Sequence, residues 1–194
     1  MVELIGKGAE ADLFLEEGVV RKVRIPKGYR LGVLDDFLRR SRTRSESRIL
    51  KKIGGVGPGF IGGNDVDELR MNFLEGPLLK RVLDEDVSLA ERVGVRVGEL
   101  HDLNVVHGDL TTSNMIVSSG DVRLIDFGLS FVSDRVEDKA VDLHLFREAV
   151  ESKHFVREKE LWSAFLRGYN PKNREAVLKR LDVVELRGRN KQKY

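Results

Sequence analysis

Between residues 105 and 128 three short apolar runs are each followed by side chains suited to chemistry. No other stretch limits the chain so much. Val105-Val106 leads into His107-Gly108-Asp109-Leu110-Thr111-Thr112-Ser113-Asn114. Asn114 to Val117 and Val122 to Ile125 read as two further strands, and Asp126-Phe127-Gly128 closes the last. Phosphoryl transfer needs a carboxylate to orient or deprotonate the acceptor hydroxyl, and hard oxygens to hold Mg²⁺ on the phosphates. Asp109 fits the first role as catalytic residue. Asn114 and Asp126, twelve residues apart on adjacent strand ends, fit the second as metal ligands. His-x-Asp-x₄-Asn fixes three positions, which chance meets at ~10⁻⁴ per start, or about 2% over the chain. His107 is expected to be a packed, hydrogen-bonded residue that shapes the loop.

Upstream, residues 2–5 and 11–15 alternate like strands, Glu16-Glu17-Gly18 is a turn, and Val19 to Val23 reads as a third strand. Gly6-Lys7-Gly8-Ala9-Glu10-Ala11 lies between the first two. Its small residues would let backbone N–H groups approach phosphates, although a plain hairpin turn fits the same residues. It is not a Walker A loop, because no Gly-Lys-Ser/Thr opens a helix. Lys22 on the third strand is the candidate phosphate cation, with Arg21 and Arg24 as competitors. Its expected partner is Glu46, the only acid between Asp36 and the Gly/Pro-rich connection at Gly54 to Gly63. A helix over 34–53 carries Glu46 among Arg42, Arg44 and Arg48. Leu69 to Leu74 reads as a strand linking two halves, where backbone groups of Met71, Asn72, Phe73 and Leu74 would meet an adenine edge.

The second half is mostly helical. Ser88 and Glu91 form an expected capping box ahead of the stripe Leu89, Val93, Val97, Leu100 and Leu103. Helices are predicted over 137–152, 157–167 and 171–186, the last opened by Asn170-Pro171. Asp142, in an apolar stretch of the first, is expected beneath the loop at 107–114. The pattern predicts an α+β fold: residues 1–74 as an antiparallel-sheet lobe with one long helix, 75–186 as a reduced helical lobe, and 187–194 as a basic tail that Gly188 frees from the helix. A ligand cleft is expected between the lobes. Residues 21–52 hold twelve Lys/Arg against three acids, a surface fit for nucleic acid or an acidic partner, or simply a solvated helix face. The absence of Cys excludes a disulfide scaffold, a thiol nucleophile and Cys-ligated metals. No apolar run reaches the roughly 18 residues of a membrane span. The lack of Cys leads us to expect a reducing, intracellular setting, and Met1 opening directly on a strand leads us to expect no signal peptide.

These residues come in the order found in the eukaryotic-type protein kinase superfamily, which the chain resembles. It more closely resembles the Bud-kinase family, the small atypical kinase/ATPase subunits of the KEOPS complex. That likeness rests on Gly8-Ala9-Glu10-Ala11, Pro26-Lys27-Gly28-Tyr29-Arg30, Arg42-Thr43 with Glu46, Val106 to Asn114, Asp126 to Ser130, Glu137 to Leu143, and Arg187-Gly188-Arg189. The resemblance implies a minimal bilobal kinase-like fold that uses ATP and Mg²⁺. It also implies a place in the machinery that makes N6-threonylcarbamoyl-adenosine in tRNAs reading ANN codons. Implied partners are the threonylcarbamoyltransferase subunit, a small subunit docked on the N-terminal lobe, and tRNA. Ordinary kinases differ at three points. Gly108 replaces an Arg, Thr111 replaces a Lys, and only eight residues separate Gly128 from Glu137. These departures weigh against efficient peptide phosphorylation and leave ATP hydrolysis and autophosphorylation open. A small-molecule phosphotransferase of aminoglycoside or choline kinase type shares His-Gly-Asp and the Asn five residues later. A kinase-shaped, non-catalytic scaffold is the third reading.

Overall fold

A computed structural model describes residues 1–191, with side chains through Arg187. Strands β1 (Glu3–Lys7), β2 (Ala11–Glu16) and β3 (Val19–Arg24) form an antiparallel meander. β5 (Glu68–Asn72) pairs with β3, and β4 (Phe60–Gly63) with β5, giving the order β1-β2-β3-β5-β4. Period-two alternation buries Val20, Lys22 and Arg24 of β3 on one face. Helix α1 (Gly32–Ile53) buries Thr43, Glu46, Ser47, Ile49, Leu50 and Ile53. The connection expected over 54–63 contains β4, whose four residues include two glycines and a register shift, so it shows no alternation in sequence.

The helical half comprises α2 (Leu79–Val82), α3 (Ser88–Asp102), α4 (Val136–Lys153), α5 (Glu158–Gly168) and α6 (Arg174–Lys191). Between α3 and α4 come β6 (Val105–Val106), β7 (Met115–Ser118), β8 (Asp121–Leu124) and β9 (Phe131–Val132). β7 pairs with β8, and β6 with β9. One core of buried side chains runs from Val20 and Ile49 through Ile53, Leu124 and Phe127 to Val177 and Leu181, so the sheet half and the helical half share an interior. Helices α3 and α5 cross backbone to backbone. A Cβ on Gly94 would lie 2.1 Å from the Phe165 carbonyl oxygen, and one on Gly168 1.9 Å from that of Glu91.

Three helix ends depart from expectation. Ser88 does not cap α3 as an N-cap residue. It is the first helical residue, and its N–H donates to Asp86 Oδ1 at 2.9 Å. Glu91 turns instead to Arg167. Helix α6 starts at Arg174 and not at 171, because Lys172 N–H is taken by Asp102 Oδ1 and Arg174 N–H by the Pro171 carbonyl. Gly188 does not end α6, which runs on to Lys191. One glycine costs a helix only about 1 kcal/mol relative to alanine, too little to stop it. Arg180 and Arg187, two turns apart, both bind Glu137 of α4 and hold this helix down. Lys193 and Tyr194 of the expected tail lie outside the described residues.

Candidate active site

Asp142 is the fixed point of the helical half. It sits on α4, fully buried, and its two oxygens accept the backbone N–H groups of His107 (2.7 Å) and Gly108 (2.9 Å). Its Oδ2 also meets His101 Nε2 of α3 at 3.2 Å, and His101 Nδ1 meets the Tyr169 hydroxyl at 2.8 Å. Burial, together with the charges of Asp142 and Asp102, pushes the Tyr169 phenol far above its usual range, so it stays a neutral partner. His107 is buried. Its Nε2 meets the Ile125 carbonyl at 3.1 Å and its Nδ1 accepts the Asp109 N–H, while Ser130 Oγ donates to its carbonyl. Gly108 has φ +79°, and a Cβ there would stand 2.6 Å from the Leu129 carbonyl oxygen.

Asn114 Nδ2 donates to both the carbonyl and Oδ2 of Asp109, at 2.9 and 2.7 Å. Both side-chain bonds of Asn114 use its nitrogen, which leaves Oδ1 as a hard-oxygen donor. Asp126 takes a left-handed backbone (φ 61°, ψ 69°), and its carboxylate is 56% exposed. Burial raises the pKa of Asp126, but the Lys22 charge and hydrogen bond and the Gly128 N–H outweigh it, so the carboxyl lies below its ordinary range.

Lys22 Nζ lies 2.7 Å from Glu46 Oε1 and 2.7 Å from Asp126 Oδ1, bridging the two halves. Arg24, named above only as a competitor, does not displace Lys22. It takes the other oxygen of Glu46 at 2.5 Å, and Glu46 is buried. Arg21 turns away to Glu68. In the loop, Gly6 and Lys7 end β1, Ala11 opens β2, and Gly8 N–H donates to the Ala11 carbonyl across the turn. The loop is fastened from outside. Glu10 is ion-paired with Arg30 (3.2 Å) and Arg42 (2.7 Å), and Lys27 Nζ donates to the Ala9 carbonyl. Met71 and Asn72 belong to β5, opposite Val20 and Val19. Phe73 N–H donates to the Gly18 carbonyl, and Leu74 follows in the link to the helical half.

The fold therefore joins Lys22, Glu46 and Asp126 through ion pairs, and Asp109, Asn114, His107 and Asp142 through the hydrogen bonds of the adjoining loop. Sequence reading missed His101 and Tyr169, the part Arg24 plays on Glu46, and the part Lys27, Arg30 and Arg42 play in fastening the loop. Alternation on β3 pointed to Arg24, two residues from Lys22. Nothing local pointed to Tyr169, which lies 68 positions from His101.

A lysine–glutamate pair on a small sheet, facing the loop at 107–114 and an Asp-Phe-Gly turn, is the arrangement of a kinase-like domain. Residues 68–177 match the phosphotransferase enzyme family. The chain is 42% identical over 196 residues to a probable bifunctional tRNA threonylcarbamoyladenosine biosynthesis protein of Methanocaldococcus jannaschii, covering 96% of this chain and 36% of that protein. Its identity to the similarly named protein of Methanocorpusculum labreanum is also 42%, with the same coverage. This chain thus spans about a third of these bifunctional relatives. It is 37% identical to the KEOPS complex subunit Bud32 of Pyrococcus abyssi, covering 99% of this chain and 98% of that one. The chain belongs to the Bud32 family.

Proposed function

We propose that this chain is an Mg-ATP-dependent ATPase and atypical serine/threonine kinase. It would serve threonylcarbamoyl-adenosine formation in tRNA, within an assembly whose transferase chemistry belongs to a partner subunit. The observation that carries this reading is the bridge of Lys22 to both Glu46 and Asp126, above an Asp109 held by Asn114. The names of the relatives supply the pathway.

The residues fit a nucleotide and its metal. Asp126 and Asn114 Oδ1 offer the hard oxygens that Mg²⁺ prefers, and among the described residues no group of three or more His, Cys, Asp or Glu competes as a site. Bound there, the ion would supply charge neutralisation on the phosphates. Lys22 then offers its ammonium to a phosphate, and the backbone of residues 6–11 covers the phosphates. Asp109, with Oδ2 fixed by Asn114, offers Oδ1 to orient a water or hydroxyl. Residues 130–135 carry only β9 before α4 begins, so they form no peptide-docking platform.

An RNA partner is supported by α1. Arg40, Arg44, Arg48 and Lys52 recur every fourth residue on its exposed face, over about 18 Å. None has an ion-pair partner among the described residues. Like charges at i,i+4 cost a helix a few tenths of a kcal/mol each. The exposed residues from Arg40 to Lys52 include no apolar side chain, as a phosphate backbone would suit. The test is ATP hydrolysis by the chain alone, then with the transferase partner and tRNA, where stimulation is expected. Absence of Mg-dependent hydrolysis in every mixture would leave the scaffold reading. Transfer of the phosphoryl group to an added aminoglycoside or choline would favour a small-molecule kinase.

A further inference from the structure

Glu46 is held by two cations. Lys22 and Arg24 project from the same face of β3, and each takes one oxygen of the buried carboxylate, Oε1 at 2.7 Å and Oε2 at 2.5 Å. Both contacts are buried, with the Lys22, Arg24 and Glu46 side chains 10%, 4% and 2% exposed, but Lys22 is shared: it also reaches Asp126, which is 56% exposed. We propose that Arg24 is a positioning residue that holds Glu46, and with it α1, in the assembled arrangement independently of Lys22.

The argument is one of shared charge. Under the phosphotransfer reading, on which this inference rests, Lys22 must serve Glu46, Asp126 and a phosphate with one ammonium group. If Lys22 alone held Glu46, its turn toward the phosphate would leave a buried carboxylate underpaired, and α1 would loosen when it is needed. Arg24 removes that conflict because its guanidinium keeps the second oxygen of Glu46 paired when Lys22 turns away. The hold extends to the Asp-Phe-Gly turn. A Cβ on Gly128 would lie 3.1 Å from Asp126 Oδ1, 3.6 Å from Lys22 Nζ and 3.7 Å from Arg24 Nη2, so the turn packs against all three. Arg24 Nε is buried with no partner, which marks a side chain placed for one contact at the cost of another. Kinases commonly set the helix bearing this glutamate through activation-segment phosphorylation. Here Gly108 and the eight residues before Glu137 leave no such device, and the hold is built into β3.

Hydrogen exchange of α1 in the nucleotide-free full chain, read beside ATPase kinetics with the transferase partner, tests this. Lys22→Met is expected to abolish turnover while amide protection around Arg42 to Arg48 stays within about twofold of the parent. Arg24→Met is expected to lower that protection and to raise KM for ATP about tenfold with a much smaller change in kcat, because only the fraction with α1 in place binds. A non-hydrolysable ATP analogue with Mg²⁺ should restore the protection, and Arg24→Lys should recover part of both effects. Equal loosening of α1 by Lys22→Met and Arg24→Met overturns the proposal. So does a fall in kcat and thermal stability with KM untouched, the mark of a merely structural residue. If Arg24→Met does not fold, Arg24→Lys against Lys22→Met gives the same comparison. The expected exchange pattern in a chain with no ATPase activity would uphold the hold and defeat the phosphotransfer reading.

Discussion

Asp109 and Asp126 carry the same functional group, and their surroundings give them different work. Under the proposed function, Asp126→Ala should abolish Mg-ATP turnover, because the phosphates would lose the carboxylate proposed to hold their metal. Asp109→Ala should leave nucleotide affinity nearly unchanged and cost about 10²–10⁴ in turnover. A fluorescent-nucleotide titration beside an ATPase assay separates the two, and loss of affinity in Asp109→Ala would reverse the roles. The depressed Asp126 pKa has a signed consequence. Its stabilising contribution is complete above the ordinary carboxylate range, near pH 4, and is lost as pH falls through the lower folded value. Asp126→Asn should therefore show a stability deficit that shrinks below about pH 4, followed by melting temperature against pH. Gly108 answers a different question. Restoring the arginine that most kinases place there would force a side chain into a left-handed backbone and against the Leu129 carbonyl. Gly108→Arg should lower stability by about 1–3 kcal/mol or more in a denaturant melt. An unchanged midpoint would mean that the loop moves freely.

At the level of elements, legibility followed sequence distance. The long helix with Glu46, the short strands around the catalytic loop and α4 through α5 were readable because period and punctuation are local. β4 was not, since two of its four residues are glycine and its order in the sheet depends on a partner eight residues on. The capping box failed because two acids competed for one helix start and Asp86 took it. The network of Asp142, His101 and Tyr169 joins α4, α3 and the residue just past α5, and no window of sequence contains it. The crossing of α3 and α5 was equally hidden, because a glycine in a helix reads only as a weak residue until its neighbour is known. Gly94→Ala should cost more than the about 1–3 kcal/mol typical of overpacking, because the methyl meets backbone and not a flexible side chain. Calorimetry would measure it. A gain in stability, the usual result of Gly→Ala in a helix, would show that α5 can move aside.

For the whole molecule, charge is distributed more meaningfully than its net value of +2 suggests. If the stripe on α1 meets RNA, replacing Arg40, Arg44, Arg48 and Lys52 with glutamine should flatten the log–log salt dependence of tRNA binding by the assembled complex. The expected loss is roughly 0.7–0.9 per phosphate contact. An unchanged slope would reduce the stripe to a solvated surface. The bridge between Lys22 and Asp126 has its own consequence. Asp126 has Lys22 as its counter-ion, and Lys22 divides its charge between Asp126 and Glu46. A nucleotide that draws Lys22 away leaves the Asp126 carboxylate for a metal ion, and a metal ion that claims Asp126 frees Lys22, still paired with Glu46, for a phosphate. Each ligand therefore frees the group that the other takes. Mg²⁺ should tighten ATP binding, and ATP should tighten Mg²⁺ binding by the same factor, as a closed thermodynamic cycle requires. Asp126→Asn should shrink that factor from both sides at once, turning cooperative entry into two nearly independent events.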